Sequence, residues 1–202
     1  NTNQRRRLML EKPSDGQYIG NLGQFDNGGT QIYHALLTSI QRRAARGVTV
    51  SGNYTWSHCI GDERRGNQGQ GFGPTETYID PNNRRSDRGN CTADRRQIFN
   101  LTAVAETPKF SGAMLRVLAT GWKVSGIFRK STGGYLNITG GLDRALTGIA
   151  SQRPVQILTS PYGDKSLQNY LNPSAFAQPA LGTYGNVGFA SVVGPGSWQL
   201  DT

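Results

Sequence analysis

Residues Val48–His58 read VTVSGNYTWSH. Val48, Val50, Gly52, Tyr54 and Trp56 alternate with Thr49, Ser51, Asn53, Thr55 and Ser57. Strand side chains point to opposite faces with a period of two, so the stretch predicts a strand with one apolar face and one hydroxyl-rich face. Two pairs of surroundings suit it: a protein core and bulk water, or lipid and a wet lumen.

Upstream, IYHALLTSIQRRAARG (Ile32–Gly47) has a composition that suits a helix, but it also alternates at first, with Tyr33, Ala35 and Leu37 on one side. Local pattern leaves both open. Arg46-Gly47 is a short turn signal leading straight into the quoted stretch, so residues 31–45 and 48–58 read as two strands of a tight hairpin. Downstream, residues 60–92 have no sustained periodicity, and a connection of that length marks a functional or disordered loop. Alternation returns at 95–106, where Phe99, Leu101, Ala103 and Ala105 oppose Asn100, Thr102 and Glu106. It returns again within a strand candidate at 114–131, where Trp122, Val124, Gly126 and Phe128 oppose Lys123, Ser125, Arg129 and Ser131. Cations alternating with aromatic rings require a well-hydrated polar face. Residues 140–202 are rich in Pro and Gly, with RPVQIL as a short strand candidate and LNPSAFAQPALGTYGNVG as loop.

Apolar residues make up 35% of the 202, and Gly occupies 27 positions, too thin a supply for a large conventional core. Tyr (8), Trp (3) and Phe (7) recur inside alternating runs, which argues against disorder. The net charge is +9, with basic clusters at Arg5–Arg7, Arg42, Arg43 and Arg46, Arg64 and Arg65, Arg84 and Arg85, and Arg95 and Arg96. Most lie in loops or at the ends of alternating runs, as a solvated rim does. Anionic headgroups or ligands are further partners for such charge. Nucleic acid is not expected, because no reader motif accompanies it. Cys59 and Cys91 fit no zinc spacing; a loop-closing disulfide and two free thiols both remain open. With no signal peptide at Asn1 and no terminating feature at Thr202, the sequence reads as an excised piece or a processed product.

Apolar/polar alternation over segments of about ten residues, a tight turn at one end, a long loop at the other and aromatic residues near strand ends are the marks of an outer-membrane β-barrel. No apolar run is long enough for a membrane helix. The fold class expected is therefore all-β: antiparallel strands forming part of an outer-membrane barrel with long extracellular loops. A soluble sandwich alternates too, and a secreted or processed β-rich structural or adhesive protein assembling through strand edges is the alternative.

Tyr33-His34-Ala35-Leu36, Gln41-Arg42-Arg43, Arg46-Gly47 and NYTWSHCIGD resemble, in that order, the barrel of TonB-dependent receptors of the large acidobacterial type with an N-terminal carboxypeptidase-regulatory-like domain. DPNNRRSDRGNCTADRRQIFNLTAVAETP, GWKVSGIFRKSTGGYLNIT, LNPSAFAQPALGTYGNVG and VVGPGSWQLD continue the resemblance over nearly the whole chain. It implies a receptor and transporter in the bacterial cell outer membrane; the alternative reading, a secreted β-rich protein, places the chain outside the cell. The receptor takes up a scarce nutrient with energy relayed by TonB through N-terminal parts outside this sequence. The strands present would be too few to close a barrel of the 22-strand class alone.

No catalytic constellation stands out, so neither an enzyme nor a cofactor is expected. His34 and His58 lie in separate, mostly neutral strands, and Asp62-Glu63 and Asp80 sit in a loop beside arginines, as surface ion pairs do. A metal site is not expected. Lys123, Arg129 and Asn100 on polar faces, with Arg64, Arg65, Tyr78, Arg84 and Arg85 in the long loop, are the groups that would meet an anionic or glycan ligand. The lipid-facing set expected is Val50, Tyr54, Trp56, Phe99, Leu101, Trp122, Val124 and Phe128.

Overall fold

A computed structural model describes residues 6–20, 27–45, 47–62, 78–80, 82–149 and 152–202. In chain order the elements are α1 (Arg7–Glu11), α2 (Pro13–Gly16), β1 (Gln31–Ala45), β2 (Val48–Gly61), a 3₁₀ turn at Arg84–Asp87, β3 (Gly89–Asn90), β4 (Gln97–Glu106), α3 (Ala113–Ala119), β5 (Lys123–Ser131), β6 (Tyr135–Leu136), β7 (Val155–Gln156), a 3₁₀ turn at Pro173–Ala175, β8 (Phe176–Ala177), β9 (Val192–Val193) and β10 (Ser197–Asp201). They fall into two compact units. A sheet unit comprises residues 33–59, 91–136 and 193–202, and a loop unit comprises residues 1–32, 60–90 and 137–192.

The main sheet runs β1-β2-β4-β5-β10, and β3 pairs with the end of β2. The β2–β4, β4–β5 and β5–β10 pairs are antiparallel. Alternation fixes their register, since a slip of one residue would exchange the two faces. Val50 lies opposite Ala103, Gly52 opposite Leu101 and Tyr54 opposite Phe99. Leu101 in turn lies opposite Phe128, and Phe128 opposite Leu200. A Cβ on Gly52 would lie 3.3 Å from Leu101 Cδ1 and 3.5 Å from Ile40 Cγ2, so flanking side chains close over that gap.

Between β1 and β2, Gly47 has φ +79°, and a Cβ there would lie 2.6 Å from the carbonyl oxygen of Glu106. Its own carbonyl accepts from Glu106 N at 2.8 Å. The turn therefore needs glycine twice over, for conformation and for space. Gly47→Val is expected to lower stability by about 1–2 kcal/mol from the left-handed backbone alone. Denaturant titration of the refolded protein checks this, and an unchanged midpoint would contradict it.

The strand expected at 114–131 begins only at Lys123, because Ala113–Ala119 is helical. AMLRVLA lacks a period of two and is rich in helix formers, and Arg116 N closes the first turn on Gly112 O at 2.8 Å. Trp122, just before β5, continues the register: Thr107 N donates to its carbonyl at 3.0 Å, and its indole Nε1 donates to Leu118 O at 2.7 Å. Instead of starting at 95, β4 starts at Gln97, since Cys91–Asp94 forms a turn closed by Asp94 N to Cys91 O at 3.0 Å. The loop expected at 60–92 is trimmed by the extension of β2 to Gly61 and holds the first 3₁₀ turn and β3. The Pro/Gly-rich 140–202 region contains β7 to β10, and SWQLD supplies a member of the main sheet.

Burial divides the molecule unevenly. Ile79, Asp87, Gln152, Arg153, Ala175, Val187, Ala190 and Val192 are buried, and all belong to the loop unit. On the sheet, Trp56, Trp122, Val124, Trp198 and Leu200 are more than half exposed. The sheet has an apolar face with no protein layer over it among the described residues.

Candidate functional site

The apolar face is assembled by hydrogen-bonded rows. One row carries Tyr54, Phe99, Lys130 and Trp198. The next carries Gly52, Leu101, Phe128 and Leu200, and further rows carry Val50–Ala103–Gly126 and Val48–Ala105–Val124. Phe99 and Phe128 pack with ring centroids 6.1 Å apart. Thus Val50, Tyr54, Trp56, Phe99, Leu101, Val124 and Phe128 share one face, with Trp122 two residues before Val124. Lys130 on that face and Ile127 on the other break the expected alternation.

The polar face has its own row of Asn53, Asn100, Arg129 and Gln199. Asn100 Nδ2 donates to Asn53 Oδ1 at 2.8 Å, and Gln199 Nε2 donates to Asp201 Oδ1 at 2.9 Å. Ser131 and Ser197 hydroxyls are 3.1 Å apart. Lys123 pairs with Glu106 directly across the strands at 3.3 Å, an exposed contact of small weight. Arg129 has no carboxylate partner among the described residues. Lys123 and Arg129 sit at opposite ends of β5 and are not brought together.

Cys59 and Cys91 form a disulfide with Cα atoms 5.4 Å apart, and Cys91 N donates to Cys59 O at 3.1 Å. Asp94 braces the junction, accepting from Ser57 Oγ at 3.2 Å and from Cys59 N at 3.0 Å while almost fully buried. Peptide mapping without reductant should recover one linked pair joining Cys59 to Cys91; two alkylated thiols would contradict the bridge.

In the loop unit, the chain is held by polar bonds more than by apolar periodicity. Arg153 is buried against Asp87 and Ser86: Nη1 donates to Asp87 Oδ1 and Nη2 to the Ser86 carbonyl. Asp87 Oδ2 also accepts from Ile79 N at 2.8 Å. Arg153 also lines a cavity of about 220 Å³, together with Ile79, Asp80, Asn83, Ser86, Tyr184 and Gly185. Burial, then the Asp80, Asp143 and Asp87 charges, pushes the Tyr184 phenol above its ordinary range, so it remains a neutral hydrogen-bond donor at neutral pH. Next to Asn83 in the chain, Arg84 lies over the Tyr78 ring at 5.1 Å, and Arg85 is exposed.

Arg64, Arg65 and Glu63 lie outside the described residues. Asp62 accepts from Thr30 N at 2.6 Å, and that backbone donor holds its carboxyl below the usual range. Asp62 thus ties down the chain at the start of β1, and the Arg88 charge adds a smaller downward pull on its carboxyl. The cavity carries no mark in the sequence, because its walls come from residues a hundred positions apart and only Tyr78, Arg84 and Arg85 nearby give a sequence signal.

The chain matches the family model described as outer membrane beta barrel domain over residues 1–202. It belongs to the outer membrane beta barrel domain family. No curated protein and no solved structure matches it. The family places this barrel domain in the outer membrane of bacteria, and its antiparallel sheet is open, with β1 and β10 outermost. In the barrel domain, an uncovered apolar face beside a self-bonded polar face is the arrangement that strands between lipid and lumen require.

Proposed function

We propose that the barrel domain is part of a TonB-dependent receptor that takes up a scarce nutrient. The observation that carries this reading is the ordered run of phrases from NYTWSHCIGD to SWQLD that resembles such receptor barrels across the chain. On this reading Val50, Tyr54, Trp56, Phe99, Leu101, Trp122, Val124 and Phe128 meet the hydrocarbon. From Trp122 to the row of Trp56 and Gln97, a strand rise near 3.3 Å and a tilt of about 40° give a band about 25 Å tall, the height such barrels span. Asn100, Arg129 and the Lys123–Glu106 pair face the wet interior.

The loop unit supplies the ligand-facing surface. Tyr78 beneath Arg84, exposed Arg85 and the cavity of Asp80, Asn83, Ser86 and Tyr184 offer an aromatic plane with donors and acceptors, the chemistry that holds a glycan or a small anion. The partner for energy transfer is TonB, engaged through parts of the receptor outside this sequence. Nutrient uptake by cells carrying the parent gene is the test: deleting the gene and removing TonB should abolish uptake of the same solute. Uptake that survives the loss of TonB would overturn the reading. A monodisperse, detergent-free protein with cooperative unfolding would instead favour a secreted β-rich structural protein assembling through strand edges.

A further inference from the structure

On the apolar face of β2, β4, β5 and β10, the residues are Val48, Val50, Gly52, Tyr54, Trp56, His58 and Ile60; Gln97, Phe99, Leu101, Ala103 and Ala105; Val124, Gly126, Phe128 and Lys130; and Trp198 and Leu200. None is acidic. Glu106 and Asp201, the carboxylates of these strands, occur on the opposite face. Lys130 is therefore a cation on an apolar face with no carboxylate to meet, and it forms no ion pair among the described residues. Its place in the row is specific: Phe99 is its register partner on one side and Trp198 on the other.

One row nearer the disulfide, Trp56 lies opposite Gln97, and Gln97 N donates to Thr132 Oγ1 at 3.1 Å. The side-chain amide of Gln97 and the indole N–H groups of Trp56 and Trp198 donate to nothing among the described residues. Gln97 and Lys130 are diagonal neighbours on the adjacent strands β4 and β5, about 7–8 Å apart, so their long side chains reach one ligand group between them, with Trp198 opposite Lys130 on one flank and Trp56 opposite Gln97 on the other. The other end of the face is built differently, since the Trp122 indole is already bonded to Leu118 O at 2.7 Å. The loop end thus gathers one uncompensated ammonium and three open donors, and the turn end satisfies its ring internally.

We infer that Trp56, Gln97, Lys130 and Trp198 form a binding site for the phosphate of a membrane-lipid headgroup, seated against the outside of the sheet at its loop end. The inference rests on the proposed lipid-facing orientation of this face. An ammonium on a flexible stem reaches headgroup depth from an apolar surface, and a phosphate oxygen is the acceptor that a cation and several N–H donors share there. Phe99 and Leu101 lie under the site in the same strand and contact the acyl chains.

The test uses the parent protein purified from outer membranes in mild detergent, stripped of lipid and offered phosphatidic acid or the matching diacylglycerol, with retained lipid read by native mass spectrometry. Retention of phosphatidic acid over diacylglycerol is expected, with inorganic phosphate failing to compete. Lys130→Met should weaken that retention about fivefold, the weight of one interfacial cation. Lys130→Arg should keep it, and Lys109→Met, in the connection after β4, should leave it unchanged. Equal retention of the two lipids, competition by inorganic phosphate, or an unaffected Lys130→Met protein would overturn the site. Heat-modifiable migration of Lys130→Met in gels separates the two failures: a variant that still inserts and loses no lipid condemns the site alone, whereas a wild-type protein absent from the membrane condemns the lipid-facing orientation itself.

Discussion

Leu101→Arg is expected to destabilise the barrel by about 2–4 kcal/mol, whereas Thr102→Arg, the next residue along, should be mild. Leu101 sits in the middle of the apolar face, between Gly52 and Phe128, in a row that ends at Leu200. A guanidinium there would lie near the bilayer midplane, with no lumen and no carboxylate on its side. Thr102 lies between Ser51 and Ile127 on the polar face, where an arginine finds water. Val124→Arg, close to Trp122, should cost less than Leu101→Arg, because the penalty falls toward the interface. Equilibrium unfolding of the parent barrel in phospholipid vesicles, followed by tryptophan fluorescence, gives all three values. Equal costs at 101 and 102 would show that the two faces meet the same solvent.

Asp87→Ala should be worse for the loop unit, costing about 3–5 kcal/mol as the removal of one partner from a buried ion pair does. Asp87 is 0% and Arg153 5% exposed. The variant would strand the guanidinium with only the Ser86 carbonyl, and it would take the acceptor from Ile79 N. The double variant Asp87→Leu with Arg153→Met removes both charges and should recover part of the loss, since the remaining cost is then packing and not a buried unpaired charge. Hydrogen exchange reads the effect locally: the Ile79 amide should lose protection in Asp87→Ala, while amides of β4 and β5 keep theirs. Unchanged protection at Ile79 would mean that the pair does not hold this unit together.

The contrast between the two units explains what the sequence made legible. In β2 and β4 every second residue reports the face, so the two faces of VTVSGNYTWSH and FNLTAVA are legible from their pattern, and Arg46-Gly47 marks the hairpin. SWQLD carries the same signal, Trp198 and Leu200 against Ser197, Gln199 and Asp201, but in five residues directly behind Gly194-Pro195-Gly196 it was too short to stand out. MLRVLA falls within the strand expected at 114–131 because its neighbours alternate, although its own residues favour a helical turn. The loop unit gave almost no signal. Its order comes from single polar residues that satisfy distant backbone, such as Gln152, whose Oε1 accepts from Ala145 N at 2.8 Å and whose Nε2 donates to Asp143 at 2.8 Å. Bonds of that kind have no period. The same limit applies to the candidate sites: Tyr78, Arg84, Arg85, Lys123 and Arg129 were visible as residue types, but the Lys123–Glu106 and Arg153–Asp87 pairings were not. Lys130 reads as one more basic residue until the register sets it beside Phe99 and Trp198.

Accessibility along β2 tests the central claim most directly. Single spin labels placed in turn at residues 48 to 56 of the parent barrel in lipid vesicles can be probed with oxygen, which concentrates in hydrocarbon, and with a water-soluble nickel chelate. The account predicts a period of two: oxygen reaches labels at 48, 50, 52, 54 and 56, with the ends less than the middle, and the chelate reaches labels at 49, 51, 53 and 55. Uniform access of the chelate to both sets, or oxygen access without alternation, would contradict it.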